Sequence, residues 1–358
     1  MSDTTAPVES PAKRSKLSST EEVVQQSQST KVVTLDYNDL VAGADLTKEI
    51  EEAFGISGLG ALTVKNVPDL EAYRHALLPC ARKFAILPDT LKAKYIHEDS
   101  FYSFGWSHGK EKLQGKPDYA KGSYYANPQY DRPIDDEELI KKHAPFIHPN
   151  IWPQEDCPDL EPAFKNLGRL IVSVGELVAQ QCDNYVRSKC SNYEELKLTK
   201  IIKASKCCKA RLLHYFPCTE EEDVAGGGAA LTRATSSKSP SKRKLPQRLN
   251  TGVPLADPDE DGEEFSSWCG WHNDHGSLTG LTSAMFLDKD GNEVANNDPT
   301  AGLYVRNRKS EVVKVMIPKD HIAFQIGETA QIHSGGFLQV CIYIYIYIYI
   351  RGSLYNVL

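Results

Sequence analysis

The sequence contains no apolar segment of the ~20 residues that a membrane-spanning helix needs. Its first residues, MSDTTAPVES, contain no apolar signal region, and its nine cysteines are scattered without the spacing of a disulfide framework. Because thiols without such a framework are typical of reducing compartments, we expect a protein of the cytoplasm or the nucleus. The basic segment 11–17, PAKRSKL, is either a nuclear import signal or part of a solvated tail.

The sequence also lacks an excess of positively charged residues. The formal net charge is −7, which argues against broad binding to nucleic acids or to anionic membranes. The glycines 226–228 are not followed by the Lys-Ser/Thr pair of a phosphate-binding loop, so we expect no nucleotide site there. Neither a nucleic-acid partner nor a membrane partner is therefore expected.

The composition changes along the chain and divides it. Residues 1–30 and an insertion at about 219–264 have the polar, charged composition of disordered segments. From residue 31 to the insertion, short apolar strands alternate with amphipathic helices, and short β-prone runs follow the insertion up to residue 339. Residues 340–358 form an aberrant tail in which isoleucine and tyrosine alternate.

Apolar periodicity predicts helices first and antiparallel strands afterwards. Apolar residues recur at intervals of three and four from Leu160 to Val178, which predicts a long helix over 159–190 with one buried stripe. Short β-prone runs predict strands at 32–35, 60–67, 281–288, 302–307, 312–318 and 321–327. Short strands separated by turn residues favour a barrel or a jelly roll.

The segment SSWCGWHNDHGSLTGLTSAMFLD (266–288) carries the clearest chemical signal. On a strand, His272 and Asp274 point to one face and Asn273 points to the other. An imidazole beside a carboxylate supplies two ligands of the facial triad that binds non-haem Fe(II) and leaves positions open for substrate and oxygen. A bare His-x-Asp pair occurs often by chance, but here Trp271 precedes it and a β-prone run follows it.

A zinc site is the alternative for the same segment. Cys269 lies three residues before His272, and His275 follows Asp274. Cys-x-x-His is typical of structural zinc, but no second pair of ligands follows at a suitable spacing. The iron interpretation is therefore preferred.

Several motifs in order resemble the Fe(II)/2-oxoglutarate-dependent dioxygenases of the isopenicillin N synthase-like group. GWHNDHGSLTGL is similar to their Trp/His-x-Asp-x-Gly-x-Leu-Thr segment, and RLLHYFP (211–217) to their Arg-x-x-Asn-Tyr-Tyr-Pro strand. VVTLDYNDL through LPDTLKAKY is similar to their N-terminal region, and GLYVRN through IHSGG to the strands that lead to their Ser-x-Gly turn. The resemblance covers about residues 31–339.

The resemblance implies an α+β fold, with a dioxygenase N-terminal region of helices and strands over 31–165 and a double-stranded β-helix (jelly-roll) oxygenase domain over 166–339. It implies Fe(II) bound by His272, Asp274 and a further histidine, with 2-oxoglutarate and O2 as cosubstrates in the hydroxylation or related oxidation of a small organic molecule. Tyr215 is expected to bind 2-oxoglutarate, whereas His214 and Phe216 depart from the asparagine and tyrosine of the family. No catalytic side chain is expected beyond the metal ligands.

The tail replaces the part of the family pattern that supplies the third ligand. Counting from the Ser-x-Gly turn, this ligand falls at about Tyr343, and a neutral phenol with a pKa of ~10 is a poor ligand for Fe(II) near pH 7. His333 is the alternative ligand, although it aligns before the turn. Arg351 and Ser353 imitate the Arg-x-Ser pair that binds the distal carboxylate of 2-oxoglutarate, within a tail that is foreign to the family.

The tail, VCIYIYIYIYIRGSLYNVL, has an explanation at the nucleic-acid level. A repeated TA dinucleotide encodes alternating tyrosine and isoleucine, so we hypothesise that the family's coding sequence ends after Gln339 and that a retained intron follows. The alternative is a genuine edge strand, which is an aggregation hazard. In both cases we expect a core that lacks its last strands and an impaired oxygenase. A non-catalytic isoform or pseudo-enzyme is the alternative function.

Overall fold

A computed structural model of the chain describes residues 32–110, 112–113, 116–216, 271–296, 301–340, 342–346 and 355–357. The predicted disordered tail and insertion lie outside the described residues, as do Cys269, Arg351 and Ser353. Statements about structure below concern the described residues.

The helices form where apolar side chains recur every three or four residues. They are α1 (Tyr37–Ala42), α2 (Thr47–Phe54), α3 (Leu70–Ala85), α4 (Asp89–Lys92), α5 (Glu137–Lys142), α6 (Ala144–Ile147), α7 (Leu160–Lys189), α8 (Lys197–Ala204) and α9 (Glu328–His333). The long helix predicted over 159–190 is confirmed as α7. Within the described ranges, no helix combines the length and the apolar character that crossing a membrane requires.

The strands begin and end close to the β-prone runs of the sequence. They are β1 (Val33–Asp36), β2 (Ala61–Lys65), β3 (Gly105–His108), β4 (Lys112–Leu113), β5 (Lys116–Pro117), β6 (Lys121–Ala126), β7 (Ala210–Tyr215), β8 (Leu278–Thr282), β9 (Met285–Leu287), β10 (Glu293–Val294), β11 (Gly302–Arg306), β12 (Val312–Val315), β13 (Ile322–Ile326), β14 (Tyr343–Ile346) and β15 (Tyr355–Val357). The predicted run 281–288 is divided into β8 and β9, and the short helix α9 was not predicted.

Two larger sheets adjoin where β9 follows β8. One has the strand order β1-β2-β13-β8 and the other the order β10-β9-β15-β7-β6-β3. Only residues 283–284 separate β8 from β9, so the two sheets meet there. A third sheet has the order β12-β11-β14. The named strand pairs are antiparallel, except for the parallel pair β1 and β2.

Two of the three apolar clusters in the described residues hold these layers together, and the third surrounds Tyr215 and Phe286. The larger cluster lies between the helices and the two larger sheets, and alternate residues of β13, Ile322, Phe324 and Ile326, pack into it. The smaller cluster includes Leu303 and Tyr343, and joins the third sheet to partly buried Leu281 of β8. The chain is thus a mixed α and β structure with helices covering its larger sheets.

The expectation that the core lacks its last strands is wrong for the described part of the tail. The strand β14 pairs with β11, and β15 lies between β7 and β9. Strand pairing uses backbone N–H and C=O groups, which every residue except proline supplies in full, and isoleucine and tyrosine both favour strands. The described parts of the tail therefore occupy places in two sheets: β14 of the repeat lies in one, and β15, beyond the repeat, lies in the other.

Candidate functional site

His272 and Asp274 lie where the chain approaches β8. His272 forms an isolated antiparallel bridge with Tyr343, and each backbone N–H donates to the other residue's carbonyl oxygen at 3.1 Å. Asp274 lies beyond this bridge, outside any strand. The predicted strand geometry thus extends only to His272, but both side chains line the same cavity.

The side chain of Asn273 turns away from that cavity. Its Nδ2 donates to Glu328 Oε1 at 3.4 Å, at the start of α9. The backbone N–H of Glu328 donates to the Asp274 carbonyl oxygen at 2.8 Å. Exposed His275 lies 2.5 Å from the Glu328 carboxylate, and this contact lowers the pKa of Glu328. The polar contacts with α9 therefore fix the backbone that carries His272 and Asp274.

The cavity that these side chains line has a volume of about 780 Å³. Ile171 and Gly175 of α7 form part of its wall, and β7 contributes Arg211 and Tyr215. Pockets for small organic ligands typically measure ~300–1,000 Å³. The cavity is thus large enough for a small organic molecule, and the predicted cosubstrate residue Tyr215 lies in the same cavity as His272.

A hydroxyl and two glycines set the position of the Asp274 carboxylate. Thr279 Oγ1 donates a hydrogen bond to Asp274 Oδ2. A Cβ atom on Gly327 would lie 2.1 Å from the Gly276 carbonyl oxygen, so a larger residue at 327 would push the Asp274 loop away from β13. Thr279 follows the His-x-Asp pair in the sequence motif and Gly327 begins its Gly-Glu pair, but the sequence pattern assigned neither residue a contact with the Asp274 loop.

Tyr343 occupies the position opposite His272. The residue is 6% exposed and lines the cavity. The two ring centroids lie 4.6 Å apart and the ring planes meet at 53°. The residue reached by counting along the family pattern is thus the one that pairs with His272 in the structure.

His333 lies elsewhere. It is the last residue of α9, and its carbonyl oxygen accepts a hydrogen bond from Lys197 Nζ at 3.0 Å. His333 does not line the cavity. The structure therefore brings together His272, Asp274 and Tyr343, and leaves His333 outside.

The donor set does not complete a ferrous site. Within the described parts of the chain, no three histidine, cysteine, aspartate or glutamate side chains are grouped closely enough to bind a metal ion. The facial triad of non-haem Fe(II) needs two imidazoles and a carboxylate. His272, Asp274 and Tyr343 supply one imidazole, one carboxylate and a phenol, so the match is one ligand short.

Two cations line the cavity, Lys121 and Arg211, and Arg211 is the first residue of the RLLHYFP motif. Lys121 of β6 pairs with Asp118 at 3.5 Å, and both side chains are almost fully buried. Arg211 donates to Ser123 Oγ from Nε at 3.1 Å and from Nη2 at 2.9 Å. Fixed positive charge in a cleft favours anionic ligands. The register of β6 and β7, which places Lys121 beside Tyr215, was not readable from the sequence.

The departure from the family at His214 has a structural consequence of its own. His214 is fully buried in β7. Burial, with a smaller effect from the nearby cations Arg82 and Lys92 and from His108, lowers the pKa of His214 to about 3. The imidazole is therefore neutral at physiological pH.

Comparison with known proteins agrees with this geometry. Residues 32–155 match the family model of the N-terminal region of non-haem dioxygenases in morphine synthesis. A putative 2OG-Fe(II) oxygenase family protein from Caulobacter crescentus has 16% identity and a TM-score of 0.59, with 92% of this chain and 86% of that chain covered. The resemblance to the Fe(II)/2-oxoglutarate-dependent dioxygenase superfamily is confirmed.

Two further structures share this dioxygenase fold. A full-length Neurospora crassa protein, in complex with alpha-KG and thymine, has 15% identity and a TM-score of 0.57, with 91% of this chain and 84% of that chain covered. The dioxygenase for auxin oxidation 1 of Arabidopsis thaliana, in a 2-oxoglutarate complex, has 12% identity and a TM-score of 0.50, with 91% of each chain covered. No curated protein matches the chain.

Proposed function

We propose that the chain is an Fe(II)- and 2-oxoglutarate-dependent oxygenase of a small organic molecule whose turnover is impaired by Tyr343. The observation that carries the proposal is the bridge between His272 and Tyr343, with backbone hydrogen bonds of 3.1 Å in both directions. It supports the alignment of Tyr343 with the family's third ligand, next to an imidazole and a carboxylate that we take as the other two.

The fold that we propose in more detail is a double-stranded β-helix. Antiparallel pairing of β14 with β11, and of β15 with both β7 and β9, supports two sheets wrapped around the cavity. In this arrangement the tail supplies the last two strands of the core. The family's backbone is thus retained, and the side chains of its last strands are changed.

Binding of 2-oxoglutarate is proposed for the part of the cavity lined by β6 and β7. Lys121 lies beside Tyr215 in the strand register, and Arg211 lies farther along the same strand as Tyr215. The cosubstrate is a dicarboxylate, so cations and a hydroxyl donor suit its oxygens. The Neurospora and Arabidopsis proteins were crystallised with this cosubstrate, which supports the same ligand here.

A non-catalytic protein of the same fold is the second candidate. The observation that favours it is the same phenol at position 343, since a site with one imidazole and one carboxylate holds Fe(II) weakly. Such a protein would keep the surface and the cavity of the dioxygenase fold without its turnover.

The test compares the full chain with Tyr343→His and with Tyr343→Phe. Succinate release from 2-oxoglutarate in the presence of Fe(II) and O2 should be near background in the parent and in Tyr343→Phe, and should rise in Tyr343→His. If the folded Tyr343→His variant neither binds Fe(II) nor releases succinate, the assignment of position 343 is wrong. Turnover by the parent equal to that of Tyr343→His would show that the phenol impairs nothing.

A further inference from the structure

We infer that His272, Asp274 and Tyr343 form a site that prefers ferric iron to ferrous iron. The inference rests on the proposed function, because it takes His272 and Asp274 as metal ligands. It starts from the disagreement between the ferrous triad and the donors that line the cavity. A phenol replaces an imidazole, and this exchange alters the charge of the site as well as its number of nitrogen ligands.

The three side chains line one cavity. The His272–Tyr343 bridge fixes two of them on neighbouring backbone segments, and the two ring centroids are 4.6 Å apart. The Tyr343 side chain packs against the apolar cluster of Leu303 and Val305. Its conformational entropy is therefore already low, and little more is lost when it binds a metal ion. Asp274 lines the same cavity, with Oδ2 oriented by the Thr279 hydroxyl.

The charge of the donor set selects the oxidation state. Two imidazoles and one carboxylate carry a total charge of minus one, whereas one imidazole, one carboxylate and one phenolate carry minus two. Coulomb attraction scales with the product of the charges, so the exchange strengthens binding of a trivalent cation more than binding of a divalent one. Oxygen donors also suit harder cations, whereas imidazole suits Fe(II).

Formation of the site is a ligand exchange in which no electron is transferred. With Fe(III) bound, the Tyr343 oxygen would replace one water ligand of the ion, and the phenol proton would pass to solvent water. A bound cation is often the largest local charge and deprotonates the groups that coordinate it. The reaction therefore needs only Fe(III) as the added component.

The experiment adds ferric nitrilotriacetate to the purified full chain and records visible absorbance. Iron(III) bound to a phenolate gives a charge-transfer band, which we expect in the parent and which Tyr343→Phe should lose. The matched control is Tyr304→Phe, the same substitution at a buried tyrosine of β11, the strand that pairs with β14. Tyr304 does not line the cavity, so this variant should keep the band.

Two results would overturn the inference: no band in the folded parent, or a band that persists unchanged in Tyr343→Phe. If Tyr343→Phe does not fold, Tyr343→His gives the same readout, because an imidazole forms no phenolate band. The same variant separates the two proposals. Turnover by Tyr343→His without a ferric band in the parent would refute only the inference of a ferric site. A ferric band in the parent without turnover by Tyr343→His would refute only the proposed oxygenase function.

Discussion

Asp183 is a buried carboxylate of α7 that holds the start of α8. Its Oδ1 accepts hydrogen bonds from the Leu198 N–H at 2.9 Å and the Tyr193 hydroxyl at 2.7 Å. Its Oδ2 accepts from the N–H and the hydroxyl of Thr199, at 2.9 and 2.7 Å. The Leu198 and Thr199 N–H groups are among the first of α8, and the first N–H groups of a helix have no partner within the helix itself.

Removal of this carboxylate should destabilise the protein strongly. Asp183→Ala leaves buried donors without partners, so we expect the free energy of unfolding to fall by about 3 kcal/mol. Asp183→Asn keeps one acceptor oxygen and should lose less. Urea denaturation of the three proteins measures the effect. Equal midpoints for Asp183→Ala and the parent would contradict this account of α8.

Thr279 should matter for metal affinity through Asp274. In the Tyr343→His background, Thr279→Val removes the hydrogen bond to Asp274 Oδ2 and should weaken Fe(II) binding by about 10- to 100-fold. Anaerobic titration with Fe(II) measures the affinity. Thr282→Val makes the same chemical change in the same strand, and its affinity should match that of the background protein. Equal weakening by both variants would assign the effect to β8 as a whole.

At the residue scale, the sequence predicted the candidate ligands but not their supports. The spacing of His272 and Asp274, and counting to Tyr343, located three side chains that line one cavity. Thr279 and Lys121 act through neighbours that only the folded chain provides. Local sequence patterns contain no information about such partners.

At the scale of elements, β8 packs against α7 at Gly280. A Cβ atom there would lie 2.2 Å from Ile171 Cγ2 and 3.1 Å from Phe324 Cε1. The helix and the strand are thus as close as their side chains permit. The long helix was predictable from its apolar stripe, but this contact depends on a single missing Cβ atom.

Gly280→Ala should therefore cost stability by crowding α7. We expect a loss of about 1–3 kcal/mol in the free energy of unfolding, as for other overpacked cores. The matched control is Gly276→Ala, because a Cβ atom at Gly276 meets nothing within 4 Å. Thermal and urea unfolding of both variants provide the measurement. A loss of the same size in Gly276→Ala would rule out the contact with Ile171 as the cause.

The strands of the tail show how far a sequence prediction of missing structure can fail. Resemblance to the family ends at Gln339, and the expectation of missing strands assumed that unrelated residues form none. Backbone pairing instead places 343–346 beside β11 and 355–357 between β7 and β9. A metal ligand depends on one side chain, whereas a strand tolerates many sequences.

Truncation after Gln339 should consequently harm folding as well as the site. Without residues 340–358, β11 loses its β14 partner, and β7 and β9 are left as unpaired edges. Unpaired edges promote aggregation, so we expect the truncated chain to yield less soluble monomer in size-exclusion chromatography than the full chain. A truncated protein that is monomeric and equally stable would show that β14 and β15 contribute nothing to the fold.

At the scale of the whole molecule, buried His214 couples folding to pH. Its pKa is lowered to about 3 in the folded chain by burial and nearby positive charge, whereas an unfolded histidine has a pKa of ~6.5. Below pH 6.5 the unfolded state binds more protons. The stability linked to His214 is therefore complete above pH 6.5 and is lost as the pH falls from 6.5 towards 3.

The variant His214→Asn, which restores the family's residue, should flatten this dependence. Between pH 6 and pH 4 the free energy of unfolding of the parent should fall more steeply, by up to about 1.4 kcal/mol per pH unit. Urea denaturation at several pH values gives both slopes. Carboxylates that titrate in this range affect both proteins alike, so identical slopes would show that His214 is not the cause.

The overall fold was predictable because several motifs occur in the order of one family. The helical region, the His-x-Asp segment and the β-prone runs were each found near their predicted positions. The adjoining sheets and the β6–β7 register were not predictable, because they are set by long-range pairing. The helix α9 was not predictable either, because its six residues are too few to show the apolar period of a helix.

The most direct test of the central claim is anaerobic addition of Fe(II) and 2-oxoglutarate to the parent chain and to Tyr343→His. An iron–2-oxoglutarate complex absorbs visible light by charge transfer from the metal to the cosubstrate. The account predicts this absorption in Tyr343→His and little or none in the parent. A band of equal strength in both proteins, or its absence from a folded Tyr343→His variant, would contradict the claim that residue 343 occupies the position of the third metal ligand.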